Sequence, residues 1–98
     1  MQFLIIAHDS KDREVLSRRL KARPAHISMS NQAIKRGEQL FGVAILNDQG
    51  DMCGSAMIVD FPSREKLEDW LAKEPYVKEK VWQEIKILPC KVGPSFTS

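Results

Sequence analysis

The sequence predicts an α+β fold of the ferredoxin-like kind, with a four-stranded antiparallel sheet covered on one face by helices. Strand patterns and helical patterns follow one another in the order β-α-β-β-α-β. The polar stretch 47–51, rich in turn-forming residues, separates the two middle strands and indicates a hairpin. A chain of 98 residues has the size of one domain, so we expect a single domain over residues 1–98.

The first strand is predicted over Phe3 to Ala7, because apolar residues occupy both of its alternating faces, as in a central strand covered on both sides. After a short turn, Asp9 or Ser10 is expected to be the N-cap of a helix. This helix has a narrow apolar stripe, and its basic residues are interpreted as a solvated face. Those basic residues are Arg13, Arg18, Arg19 and Lys21.

Pro24 is expected to end that helix and to open a second one, because proline suits the first turn of a helix better than its interior. The second helix is predicted over Pro24 to Arg36, with Gly37 as a left-handed cap at its end. On a helical wheel of about 100° per residue, His26 falls on the inward face. The other residues of that face are Met29, Ser30, Ala33 and Ile34.

The rest of the chain supplies three strands and one helix. The second and third strands are predicted over Gln39 to Leu46 and Cys53 to Phe61. Ser63 is the expected N-cap of the next helix, which ends before Pro75. The last strand, Val81 to Leu88, has a one-sided pattern that fits an edge position. In that strand Val81, Ile85 and Ile87 are assigned to the inner face, and Trp82, Glu84 and Lys86 to the outer face.

Composition excludes several classes of function. A net charge of +2, with acidic and basic residues mixed along the chain, argues against nucleic-acid binding, which needs clustered positive charge. The apolar start, Met1 to Ala7, is too short to span a membrane. Cys53 and Cys90 lack the spacing of a zinc site or of a disulfide framework. We therefore expect a cytoplasmic protein with reduced thiols, no metal or other cofactor, no nucleic-acid partner and no membrane contact.

Topology predicts which polar residues meet at one end of the sheet. The first strand ends at His8, and the helix that opens at Pro24 begins beside His26. The last helix ends at Glu74 and the third strand begins near Ser55, so all four side chains are expected to converge. The prediction depends on the break at Pro24, because one continuous helix would overshoot the strands and carry His26 away.

A histidine paired with a carboxylate is the smallest proton-transfer unit, and His26 with Glu74 is the candidate pair. The pair is also explained by stability alone, as a buried histidine satisfied by an acid at a helix end. His26 is expected to line a pocket, because the small residues Gly54 and Ser55 leave space on the third strand. The competing interpretation is a histidine sealed within the core.

Several short motifs occur in a fixed order along the chain. They are Arg23-x-x-His26, Gly54-Ser55, Trp70, Pro75-Tyr76-Val77 and Ile87-Leu88-Pro89. Together they resemble the YciI-like family of small dimeric α+β barrel proteins, over nearly the whole chain. The resemblance implies a homodimer and a site where His26 works with the acid before Pro-Tyr, usually aspartate and here Glu74. Apolar residues on both faces of the first three strands indicate the same homodimer, since the sheet face without helices needs a cover.

Two classes of function fit these residues. In the first, the protein is a lyase-like or isomerase-like enzyme in which His26 and Glu74 transfer a proton on a small molecule, for instance an aromatic one. Arg23 is then expected to hold an anionic group of that molecule. The other expected binding residues are Ser55, Tyr76, Trp82 and His8. In the second class, the same pocket belongs to a small-ligand binder or interaction module that transforms nothing.

Overall fold

The computed structural model of the protein describes residues 1–97. Its elements are β1 (Gln2–Asp9), α1 (Val15–Lys35), β2 (Gln39–Leu46), β3 (Met52–Asp60), α2 (Arg64–Lys73), α3 (Pro75–Lys78) and β4 (Trp82–Cys90), with a 3-10 turn at Pro94–Phe96. Within residues 1–97 the strands form one four-stranded antiparallel sheet in the order β2-β3-β1-β4. This is the ferredoxin-like order, so the predicted fold is confirmed, with β4 at an edge.

The sheet has one face under the helices and one face without them. Phe3, Ile5 and Ala7 of β1 point to the helices and are almost completely buried. Met57 and Val59 on β3 lie beside them in the register and join the same core. The alternate residues of both strands point to the other face, because successive side chains of a strand point in opposite directions.

The predicted break at Pro24 is wrong, because α1 runs without interruption from Val15 to Lys35 with Pro24 inside it. An interior proline costs a helix about 3 kcal/mol. Arg19 and Ala22 before the proline and Ala33 after it are buried, so packing on both sides holds the helix together across it.

The start of α1 also differs from the prediction. The residue at the N-cap position is Glu14, and its side chain makes no capping hydrogen bond. Asp9 ends β1 and turns inward, where it is buried. Neither Asp9 nor Ser10 therefore caps the helix, because the turn between strand and helix is longer than the pattern indicates.

Two other predicted caps are present, and one helix was missed. The Ser63 hydroxyl oxygen accepts a hydrogen bond from the Lys66 backbone N–H at 3.2 Å, and Gly37 has a φ of +73°. The short helix α3 was not predicted. Pro75 is its first residue, a position where the missing N–H costs nothing, so the same proline ends α2 and begins α3.

Trp82 faces the helices, which corrects its predicted outward direction. In the β1–β4 register His8 pairs with Glu84, whereas Asp9 pairs with Trp82. The extra residue between them, Gln83, interrupts the strict alternation and turns Trp82 to the helical face. Trp82 is accordingly buried.

The positions of the two cysteines agree with the predicted topology. Cys90 pairs with Gln2 at the start of β1, and Cys53 precedes Gly54, which pairs with His8 at the other end of that strand. The thiols therefore lie at opposite ends of the sheet.

The helices found within residues 1–97 are all too short or too polar to cross a bilayer.

The replacement Pro24→Ala is expected to increase the free energy of unfolding by about 1–3 kcal/mol, because alanine restores a backbone N–H and removes a steric clash. Thermal unfolding followed by circular dichroism measures the change, and each 1 kcal/mol corresponds to about 4–8 °C in a domain of this size. Ser28→Ala, at an exposed site on the same helix, is the control. A Pro24→Ala protein that melts at a lower temperature contradicts this account of the continuous helix.

Candidate functional site

The candidate site is built around a contact between α1 and the end of α2. The Nδ1 atom of His26 lies 2.8 Å from Oε1 of Glu74. The Glu74 side chain is fully buried, whereas the imidazole of His26 is 17% exposed. Glu74 Oε1 also accepts the backbone N–H of Tyr76 at 3.1 Å, so this one oxygen orients the histidine and caps α3.

His26 and Glu74 meet because α2 is short. With 10 residues it is about 15 Å long, whereas a strand of nine residues such as β3 spans about 30 Å. The end of α2 therefore lies partway along the sheet, beside the middle of the 21-residue helix α1. The expected dependence on a break at Pro24 is wrong, because the continuous helix carries His26 to Glu74.

Aromatic rings hold His26 in place. Its ring stacks on that of Tyr76, with centroids 4.0 Å apart and an interplanar angle of 14°. Trp82 meets both rings edge-on, at centroid distances of 6.2 Å from His26 and 5.5 Å from Tyr76. Such geometries are favourable for aromatic pairs, so the imidazole has little freedom to rotate.

A buried ion pair lies beneath this cluster. Arg19 is 2% exposed, and its Nη1 donates to both carboxylate oxygens of Asp9 at 2.7 and 3.0 Å. Its Nη2 donates to the Gly54 carbonyl at 2.9 Å and to the Ser55 hydroxyl oxygen at 2.8 Å, and its guanidinium lies 4.6 Å from the centre of the Tyr76 ring. The interpretation of Arg19 as a solvated residue is therefore wrong.

One weak feature of the sequence could have indicated the buried role of Arg19, namely its spacing from His26. Its neighbour Arg18 binds the two oxygens of Asp12 through both of its Nη atoms, but that pair is exposed. Two adjacent arginines point in different directions on a helix, about 100° apart. Arg19 and His26 are seven residues apart, which is two helical turns, so they share a face of α1.

Burial and charge shift two pKa values in this cluster. Burial raises the pKa of the Asp9 carboxyl, and the Arg19 guanidinium opposes that rise. Burial likewise raises the pKa of the Tyr76 hydroxyl above its ordinary value, against the opposing charges of Arg19 and Arg23. Tyr76 therefore stays protonated at neutral pH.

A cleft of about 230 Å³ lies between α1 and the β2–β3 side of the sheet. The helix contributes Arg19, Arg23 and His26 to its wall, and the sheet contributes Gln39 and Ser55. Apolar side chains complete the lining; they are Ile27, Ile34, Met52 and Met57. The cleft is therefore polar near the histidine and apolar over much of its remaining wall.

The structure distributes the predicted site residues in three groups. His26, Arg23, Ser55 and Tyr76 line the cleft. Glu74 and Trp82 lie behind that wall, where Glu74 contacts His26 and the Trp82 indole N–H donates to the Ser55 hydroxyl oxygen at 3.2 Å.

His8 stands apart from the cluster. It is exposed, and it follows the core-facing Ala7 and precedes the core-facing Asp9, so it points to the face without helices. The structure does not bring it to the cleft. Residues 1–97 contain no group of three or more His, Cys, Asp or Glu side chains placed to hold an ion.

This fold and cleft define a small ferredoxin-like α+β protein with a histidine–carboxylate pair beside a ligand-sized cleft. The chain belongs to the YCII-related domain family, which it matches over residues 1–91. The YciI proteins of Escherichia coli O6:H1 and Shigella flexneri are each 31% identical to it, over 93% of this chain and 97% of the relative. The family resemblance seen in the sequence is thus confirmed.

Two solved structures share the fold. One is the 5-chloro-2-hydroxyhydroquinone dehydrochlorinase of Burkholderia phenoliruptrix AC1100 in complex with 2,5-dihydroxybenzoquinone, with a TM-score of 0.82 and 22% identity over 97% of this chain and 98% of that one. The other is an antibiotic biosynthesis monooxygenase, with a TM-score of 0.54 and 14% identity over 96% of this chain and 100% of that one. At these identities the likeness establishes the fold.

The replacement Arg19→Met is expected to lower the free energy of unfolding by about 3–5 kcal/mol, because it leaves the Asp9 carboxylate buried without its partner. Urea unfolding measures the loss. The double variant Asp9→Leu/Arg19→Met should recover part of it, since removing both charges leaves no unpaired ion.

Arg18→Met is the matched control, because it removes the neighbouring exposed arginine, whose pair with Asp12 is screened by water. Its effect should be much smaller than that of Arg19→Met. Equal losses at the two positions would contradict the structural role given to the buried pair.

Proposed function

We propose that this chain is a small-molecule enzyme of the lyase or isomerase kind, in which His26, oriented by Glu74, transfers a proton on a small aromatic ligand in the cleft. The observation that carries the proposal is the 2.8 Å contact between the two side chains, with the carboxylate buried and the imidazole on the cleft wall. A pair that served stability alone has no need of an open cleft beside its imidazole.

The contact fixes how the histidine would act. An ionised carboxylate accepts hydrogen bonds and donates none, so Glu74 holds the proton of a neutral His26 on Nδ1. Nε2 then keeps the lone pair that takes a proton from the ligand, and the carboxylate stabilises the imidazolium that forms. The stack on Tyr76 holds the ring in the orientation that this transfer needs.

The charges around the cleft favour a ligand with an anionic oxygen. Arg19 is neutralised by Asp9, whereas Arg23 lines the cleft, is exposed, and forms no ion pair with any residue that the structure describes. Arg23 therefore supplies uncompensated positive charge, which suits a phenolate or enolate oxygen.

The lining supports an aromatic ligand. Apolar residues such as Ile27 and Met57 offer contacts to a flat carbon ring, and Ser55 and Tyr76 contribute polar and aromatic surface on the same wall. Trp82 acts behind the wall as a positioning residue, and we assign no role to His8. The dihydroxybenzoquinone bound to the structurally similar dehydrochlorinase is likewise a small aromatic-sized ring with ionisable oxygens. We do not propose the chlorinated substrate of that enzyme for this chain.

Proton exchange on a bound ring tests the proposal. With 2,5-dihydroxybenzoquinone in D₂O, the ring carbon first takes a deuteron from the deuterated imidazolium of His26 to give a keto tautomer, and then returns its original proton to Nε2. We expect the protein to accelerate this replacement of ring C–H by C–D, measured by the loss of the ring-proton NMR signal. His26→Gln should slow this exchange by about 10²–10⁴-fold, the usual contribution of a general base. Glu74→Gln, which keeps the shape and removes the charge, should slow it to a smaller extent.

Gln32→Leu, at an exposed site elsewhere on α1, is the control and should exchange the ring proton at the normal rate. A protein that binds the quinone and accelerates nothing is a ligand-binding module, which is the competing function. Exchange that is equally fast without the His26 imidazole would rule out the proposed base.

We also propose that the protein acts as a cytoplasmic homodimer in which two sheets pack face to face. The sheet face without helices is apolar over most of its area, where it includes Leu4, Ile6, Phe41, Val43, Ala56, Ile58 and Leu88. Three polar residues of that face, His8, Glu84 and Lys86, lie together at one corner, on β1 and β4. Phe41 is 60% exposed and Leu88 is 47% exposed in one chain, which is unfavourable for a protein that works alone. The free thiols of Cys53 and Cys90 suit a reducing compartment.

Light scattering at micromolar concentration should give the mass of two chains, and Ile58→Lys should give the mass of one, because it places a charge in the middle of the apolar face. Leu20→Lys is the matched control, since Leu20 is 53% exposed on α1; this variant should remain dimeric. A monomeric wild-type protein, or an Ile58→Lys dimer as stable as the wild type, would contradict the proposed interface.

A further inference from the structure

Gln39, the first residue of β2, is a polar residue in the wall of the cleft. The proposed chemistry assigns it no role. It lines the same cleft as His26 and is only 8% exposed. Most glutamine side chains lie at the surface, and buried ones make hydrogen bonds. The position of this amide therefore calls for a physical reason.

A β-bulge turns Gln39 toward the cleft. In the β2–β3 register Gly42 pairs with Met57 and Phe41 with Ile58, but Gln39, and not Leu40, pairs with Val59. Val59 belongs to the core on the helical face, so its partner points there too. In a strand without the bulge, regular alternation would place Leu40 on the helical face and Gln39 on the opposite one.

The amide has an unsatisfied end. Oε1 of Gln39 is buried and has no hydrogen-bond partner among residues 1–97. A buried polar atom left in this state costs about 1–3 kcal/mol. Gly42 leaves the room for the amide, because a Cβ at that position would lie 3.0 Å from Gln39 Nε2. The backbone thus accommodates a side chain whose hydrogen bonding is incomplete within the protein.

We propose that Gln39 binds one hydroxyl group of the ligand, while a second polar group of the same ligand faces His26. This deepens the proposed function and rests on it. Oε1 is closed off from the cleft as the side chain lies, so the amide has to rotate to present that oxygen to the ligand. A hydroxyl both donates and accepts, so it can then bond either end of the amide. The apolar side chains of Ile34 and Met57 line the same cleft and suit the carbon skeleton between the two polar groups. The ligand class is therefore a small ring with at least two hydroxyl groups.

This arrangement gives Gln39 the role of a specificity residue. A site built to bond a hydroxyl discriminates against the analogue that lacks it, because that analogue leaves the buried amide unpaired. The preference concerns binding and does not depend on the proton transfer at His26. It can therefore be measured with ligands that the protein does not transform.

The test compares phenol with catechol, resorcinol and hydroquinone, which add a second hydroxyl at three different spacings. Calorimetric titration of the full chain should show at least one diol binding about tenfold more tightly than phenol, the size of one good hydrogen bond. Gln39→Met keeps the length and flexibility of the side chain and should abolish that preference, so that the diol and phenol bind this variant with similar affinity. Gln32→Met, exposed on α1, should retain the preference.

The outcomes separate this inference from the proposed function. Phenol binding without any preference for a diol, or a preference that survives in Gln39→Met, overturns the role of Gln39 and leaves the His26 proposal standing. Failure of all four compounds to bind the wild-type protein overturns both.

A second measurement needs no ligand. Because the Oε1 atom contributes no bond to the fold, Gln39→Met should melt at the same temperature as the wild type or higher, with Gln32→Met as the reference. A clear fall in melting temperature for Gln39→Met alone would show that the amide is part of the folded structure. That result also overturns the inference, since the amide would then form its hydrogen bonds within the protein and not with a ligand.

Discussion

The buried guanidinium of Arg19 fixes α1 against the sheet, and the rest of the cleft depends on that attachment. One side chain joins Asp9 at the end of β1 to the Gly54 carbonyl and the Ser55 hydroxyl on β3. It also lies against the ring of Tyr76, on which His26 stacks. A displacement of Arg19 would therefore disturb both the strand side and the histidine side of the site. Charges this deeply buried are tolerated only when they are paired and hydrogen-bonded.

Local departures from regular structure place the remaining site residues. An extra residue in β4 turns Trp82 inward to bond Ser55, and an extra residue in β2 turns Gln39 into the cleft. The early end of α2 leaves Glu74 beside the middle of α1. Each of the two bulges changes where one side chain points while the strands stay paired, which is the usual effect of a bulge near a functional site.

The two faces of the sheet are suited to different tasks. The helical face carries the core and the cleft, with the polar groups near His26 and the apolar groups beyond it. The other face is apolar over most of its area and suits a second sheet. A second copy on that face would leave the helical face, and hence the cleft, accessible to ligands. The two proposed roles, assembly and ligand binding, therefore use opposite faces of the sheet.

The sequence by itself determined the order of the four strands and of the helical regions between them, the hairpin, the caps at Gly37 and Ser63, and the position of His26 and Glu74 on neighbouring helices. These features follow from periodicity, turn residues and short-range hydrogen bonds, all of which are local. Tertiary structure decided the rest. Packing on both sides carried α1 through Pro24, and the register between strands set the directions of Trp82 and Gln39.

Arg19 was expected to be a surface charge, but it is a buried ion that pairs with Asp9. The sequence pattern did not show this, because Asp9 lies on another element. Residues such as these depend on contacts between segments far apart in the chain. No pattern within a single segment records which charge will meet a buried partner, or where a bulge will shift the alternation. The fold was therefore predictable from local physics, whereas the detailed cleft was not.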